Sequence, residues 1–208
     1  MALSAWGQGG GGVASLKGAP TLGIFMDFEA APGNSSLAIM QREVTNLLKP
    51  SGISVKWRLT QENKGNEKYA RLVVLKFNGS CRVDGRWLTP SVKGGAVEPG
   101  NPLVLGDAKV ENGRVLPFSE VRCDEVRKAL SYLAPATSPE QRQVALGIAM
   151  ARVVAHELYH MLARTTRHAM HGLARASQPL PELVSSRKMV FERQDSEAIR
   201  KGFEAPPE

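Results

Sequence analysis

Long apolar runs are what this 208-residue chain most plainly lacks. No stretch approaches the roughly 20 consecutive apolar residues that a membrane-spanning helix requires, so no membrane span is expected. Cysteine is scarce as well. Only Cys81 and Cys123 are present, which excludes a cysteine-rich framework and leaves at most one disulfide. Charge is not clustered: the formal net charge is +7 and the isoelectric point about 9.6, yet no block of five or more like charges occurs. Nucleic-acid binding is therefore not expected, although a basic surface favours anionic partners. Met1–Ala5 has neither a basic nor an apolar segment of the signal-peptide kind. There is no internal repeat.

What remains is the composition of an ordinary soluble globular protein, 42% hydrophobic and 23% charged. The length suits one domain with tails. Residues 1–19 are glycine-rich and predict a flexible tail, residues 20–203 a single domain, and residues 204–208 a proline-containing tail. Cys81 and Cys123 can form a disulfide or stay as two buried thiols. The disulfide would contribute about 3–4 kcal/mol by loop closure and would imply an exported, periplasmic or secreted, location.

The pattern of elements points to an α+β protein. Thr21–Phe28 mixes β-branched and aromatic residues and predicts a strand. Asn34-Ser35-Ser36 offers an N-cap for a helix to about Lys49, with Leu37, Met40, Val44, Leu47 and Leu48 on one stripe. Ile53–Leu59 alternates as a half-buried strand, and the apolar run within Arg71–Phe77 predicts a central one. Asp84-Gly85 signals a hairpin within Arg82–Leu88, and Thr89–Pro102 a long Gly/Pro-rich loop able to border a cleft. The strongest hairpin signal is Asn112-Gly113, between Asp107–Glu111 and Arg114–Phe118. Ser119 is expected to cap a short helix to about Leu133. Ser138-Pro139-Glu140-Gln141 reads as a capping box opening a helix of some 25 residues, with Val144, Ile148, Val154, Leu158 and Leu162 buried. Pro179–Lys201 completes the set as an amphipathic C-terminal helix using Leu183, Val184, Val190 and Ile199.

The long helix carries the chemistry. Val153–Leu162 reads V-V-A-H-E-L-Y-H-M-L, an H-E-x-x-H motif in which Glu157 is the one charged residue. Residues four apart lie one helical turn above each other, so His156 and His160 project from one face and can bind one tetrahedral Zn²⁺. Glu157 borders that site without lying on the ligand line, as suits a base beside a metal-activated water. A buried helix with two satisfied histidines is the plain alternative, but an unpaired buried carboxylate is costly. A catalytic zinc usually takes a third protein ligand. The candidates are His168 first, then His171 and Glu182. On an unbroken helix His168 would stand about 12 Å along the axis from His160, so the helix must end between them. The β-branched pair Thr165-Thr166 marks the place for a break around Arg164–Thr166.

With this motif the chain resembles the zincin metallopeptidases, and its order of elements resembles their metzincin branch. That family continues the motif as H-E-x-x-H-x-x-G-x-x-H and follows it with a methionine turn. Here Ala163 stands at the glycine position, Thr166 at the third histidine, and His168 two residues later. Met170 and Met189 read as packing residues. The resemblance implies a zincin-like fold, a twisted mixed sheet packed on helices above the metal. It also implies a zinc-dependent metallopeptidase acting on peptide or protein substrates, with His156, His160 and His168 holding Zn²⁺, and Glu157 as general base toward the zinc-bound water. The rival expectation is a catalytically silent, zinc-stabilised binding module on the same scaffold. Tyr159 lies on another side of the helix and is expected to pack.

Overall fold

The computed structural model describes residues 19–63, 65–83, 104–131, 138–185, 187 and 189–206. The glycine-rich tail up to residue 18, the Asp84-Gly85 hairpin and the Thr89–Pro102 loop therefore lie outside the described residues. The elements in chain order are β1 (Thr21–Ala30), α1 (Asn34–Leu48), β2 (Ser54–Leu59), β3 (Arg71–Ser80), β4 (Gly106–Glu111), β5 (Arg114–Arg122), α2 (Cys123–Ser131), α3 (Pro139–Ala163), α4 (Leu180–Val184) and α5 (Arg193–Glu204). They form a five-stranded mixed sheet in the order β2-β1-β3-β5-β4, packed on helices. Three parallel pairings join β2, β1, β3 and β5, and β4 closes one edge antiparallel to β5.

The period-2 pattern of the strands decides which face is covered. Leu22, Ile24 and Met26 of β1 and Val73, Leu75 and Phe77 of β3 point to one side, where Met40, Val44 and Leu48 of α1 and the apolar residues of α3 meet them. β3 is central, as its apolar run predicts. The β4–β5 hairpin turns at Asn112 and Gly113, both with positive φ (50° and 76°), the geometry that an Asn-Gly pair adopts in a type I′ turn.

Several boundaries differ from the sequence-based expectations. Helix α1 is capped at Gly33, not at Asn34–Ser36. Ser36 is fully buried and donates from its hydroxyl to the Gly33 carbonyl. Ser119 caps nothing: β5 continues through it to Arg122, because Ser119 and Val121 pair with Leu75 and Phe77, and the helix begins only at Cys123. The C-terminal segment is not one helix. It divides into the single turn of α4 and the separate α5, with the buried Phe191 in the non-helical stretch between them and Val190 exposed.

Helix α3 matches its expectation in length, at 25 residues, and in start. The Ser138 hydroxyl accepts from the Gln141 amide, and the Ser138 amide donates to the Gln141 side-chain Oε1. Val144 is an exception to the expected buried set: it is exposed and Ile148 is half-buried, while Val154, Leu158 and Leu162 are buried. The last turn of α3 is held by α5. A Cβ on Gly202 would stand 2.2 Å from the Leu162 carbonyl oxygen and 2.9 Å from Ala163 Cα, so the helices touch backbone to backbone. Arg164, just past the helix end, donates to the carbonyls of Ala205 and Pro206.

Cys81, at the end of β3, and Cys123, at the start of α2, form a disulfide with a Cα–Cα separation of 4.9 Å. A disulfide is compatible with an oxidising, exported location. No helix among the described residues is long and apolar enough to cross a membrane.

Two stability measurements test this arrangement. Replacing both Cys81 and Cys123 by alanine should lower the unfolding free energy by about 3–4 kcal/mol, read from urea titrations without reductant. No difference between parent and variant would mean the thiols are not paired. Gly202→Ala should cost about 1–3 kcal/mol, because the neighbouring atoms are main chain and cannot rotate away. A neutral result would show that α5 does not dock this closely.

Candidate metal centre and cleft

Helix α3 is buried from Leu146 almost continuously to Leu162, so each polar group on it must be satisfied locally. His156 Nδ1 lies 2.9 Å from the Leu173 carbonyl oxygen and His160 Nδ1 2.7 Å from that of Thr165. A carbonyl only accepts, so each Nδ1 carries the proton and each Nε2 is left with a lone pair. These two Nε2 atoms stand 3.2 Å apart. Two lone pairs facing each other repel unless a cation lies between them. Nitrogens bound tetrahedrally at 2.0–2.1 Å are about 3.3–3.4 Å apart, close to the separation seen.

Burial also keeps these rings neutral. It holds the His156 imidazole down at about 4, outweighing the Leu173 hydrogen bond, and lowers His160 as well. Neutral imidazole is the metal-binding form.

The third ring arrives through the helix end. Arg164 adopts a left-handed conformation (φ 52°), and its amide and that of Thr165 both donate to the His160 carbonyl. The chain reverses there, within the Arg164–Thr166 stretch that the sequence marks for a break. His168 comes back with its ring centroid 4.7 Å from His160 and 5.3 Å from His156. One ligand atom from each of His156, His160 and His168 lies within 4.8 Å of the others, so the three can hold a metal ion. The two other candidates are elsewhere. His171 is exposed and belongs to neither the cluster nor the cleft wall. Glu182 pairs through its carboxylate with Arg175 at 2.5 Å. All four histidines of the chain fall between residues 156 and 171, so composition alone did not select among them.

Glu157 faces the sheet edge. It is 5% exposed, and burial pushes its carboxyl up to about 7, moderated by a hydrogen bond from the Ala108 amide. The carboxylate fits because residue 106 is glycine: a Cβ there would be 2.5 Å from Glu157 Oε1. Sequence reasoning missed Gly106, since nothing local distinguishes a strand-initial glycine from one under a helix 51 residues on. It also missed Arg152, one turn before His156, and the Leu173 and Thr165 carbonyls, whose identity as side chains is irrelevant. Tyr159 packs as expected, against Phe191 and the edge of His160.

The histidine cluster and Glu157 open into a cleft of about 720 Å³, between β4, α3 and the segments around Thr165–His168 and Arg175–Leu183. Its size falls within the range of small-ligand and cofactor sites. No protein-family model, no curated protein and no solved structure matches this chain.

Metal analysis tests the cluster. His168→Ala should reduce bound metal from about one ion per chain to little, while His171→Ala should leave it unchanged. Equal metal in the parent and His168→Ala would remove His168 from the set. In the chelated protein, His156 and Glu157 act on stability with opposite sign. The folded state resists protonating His156, so stability falls as pH drops from about 6.5 toward 4; it resists ionising Glu157, so stability also falls as pH rises from about 4.5 toward 7. The two effects offset each other near pH 5–6. Glu157→Gln should remove one of them, leaving a clear rise in stability between pH 4.5 and 6.5 in denaturation curves; an unchanged profile would contradict the buried, shifted carboxyl.

Proposed function

We propose that the protein is a zinc-dependent metallopeptidase, with His156, His160 and His168 holding the ion and Glu157 serving as general base. The observation that carries this reading is the convergence of three imidazoles and one buried carboxyl on a single cleft. The donor set fits zinc: three neutral imidazoles match its preference for nitrogen ligands and leave a fourth position open. Zinc bound there would supply a Lewis acid that acidifies a water molecule and polarises a carbonyl.

The remaining steps belong to the chain. Glu157 borders the histidine cluster in the cleft, and a carboxyl there can take a proton from the attacking water and return it to the leaving amine. The Leu173 and Thr165 carbonyls hold His156 and His160 in one tautomer and one orientation. Strand β4 supports a peptide substrate in particular. Among the described residues it is the last strand of the sheet, and it lines the cleft at Gly106, Asp107 and Ala108, so its outer backbone groups can pair with an extended chain laid along it. The same arrangement supports the zincin-like reading of the fold.

Glu157→Gln should retain the metal of the parent and lose at least about 100-fold in cleavage of an unfolded protein substrate. Chelation should abolish cleavage by the parent and zinc should restore it. Cleavage that survives Glu157→Gln would remove this base; a chelator that lowers only the melting temperature would favour a zinc-stabilised binding module.

A further inference from the structure

Arg152 stands four residues before His156 and eight before His160, on the same row of α3. Its side chain is almost fully buried in the cleft wall, and burial lowers its pKa. Nη1 donates to the Glu182 carbonyl, and Nη2 to those of Ser185 (2.6 Å) and Arg187 (2.9 Å). These are dipoles. No carboxylate forms an ion pair with Arg152 among the described residues. Three of the five guanidinium N–H groups are thereby used, and the carboxylates that act on the charge, those of Glu43 and Glu182, do so without a direct ion pair.

A second cation lies in the same wall. Arg175 lines the cleft and pairs through Nη2 with the Glu182 carboxylate. Its Nε is buried and has no hydrogen-bond partner among the described residues. Two guanidiniums thus stand in one wall of the cleft, Arg152 with no carboxylate bonded to it and Arg175 with an unmet donor among the described residues. An unmet buried donor beside a guanidinium that has only carbonyl partners is met by one kind of ligand group, an anionic acceptor.

Resting on the peptidase reading, we propose that the Arg152–Arg175 wall is a selectivity site for an acidic side chain, Asp or Glu, of the peptide substrate. The place of that side chain follows from the helix. Arg152 is one turn, about 6 Å of rise, from His156, and an extended peptide advances about 3.3 Å per residue. The acidic residue therefore lies within two positions of the cleaved bond. Glu182 is its built-in competitor, since it already occupies Arg175.

The test uses three fluorescent peptides that differ only in having Glu, Gln or Lys at one position, scanned over the two residues on either side of the bond. Binding is read by anisotropy with zinc-loaded Glu157→Gln protein, so that nothing is cleaved. At the selected position Glu should bind about tenfold tighter than Gln, with Lys weaker still, and the preference should shrink at high salt. Adding Arg175→Gln should reduce the Glu-over-Gln ratio, and adding Glu182→Gln, which removes the competitor, should raise it. A merely structural wall would shift all three peptides together. Equal binding of Glu and Gln at every position, a preference for Lys, ratios unmoved by either substitution, or no binding at all would each overturn the proposal. Parallel assays of the zinc-loaded parent separate this from the peptidase reading: an acidic preference with no cleavage upholds the site and removes the activity.

Discussion

The structure depends on one constraint: a helix buried over most of its length carries Arg152, His156, Glu157 and His160, and each of these must find a partner away from water. Leaving any one unmet would cost roughly 1–3 kcal/mol, and more if it were charged. The rest of the molecule is arranged as the answer. The Leu173 and Thr165 carbonyls take the two Nδ1 protons, the Ala108 amide meets Glu157, and the carbonyls of Glu182, Ser185 and Arg187 surround Arg152. Most of those partners come from the segment after the helix, which explains why that segment is tied down despite having little regular structure.

The turn at Arg164 is the hinge of this arrangement. A left-handed residue directly after the last helical turn reverses the chain, and α5 fixes the turn from outside through Gly202 and the Ala205 and Pro206 carbonyls. His168 can reach His156 and His160 only because this reversal occurs. The C-terminal helix is thereby linked to the centre without contributing a ligand to it.

Sheet and centre meet at β4. The edge strand places Gly106 and Ala108 against Glu157, and the missing Cβ at Gly106 leaves the carboxyl its room. Shielding from water raises the pKa of that carboxyl above the ordinary carboxylate range. The same strand, with no neighbour on its outer side in the sheet among the described residues, borders the cleft. Glu157 and the edge strand thus line one and the same cleft.

Much of this was legible in the sequence. Periodicity, the capping box of Ser138 and Gln141, and Asn112-Gly113 are local signals, and they located α3 and the β4–β5 hairpin because neighbouring residues alone decide them. The four-residue spacing of His156 and His160 likewise settles their common face. Local reasoning failed where pairing partners override preference: Ser119 is a strand residue because β3 pairs with it, and the C-terminal stretch breaks at Phe191 because that ring is buried between α4 and α5 in the chain. The sequence by itself determined the long helix, its two aligned imidazoles and the need for a break after it. Only the tertiary structure decided that His168 and not His171 or Glu182 joins them, that Gly106 makes room for Glu157, and that Arg152 and Arg175 stand in one cleft wall. These are contacts between residues distant along the chain or across a reversal, and no local propensity encodes the direction in which a chain returns.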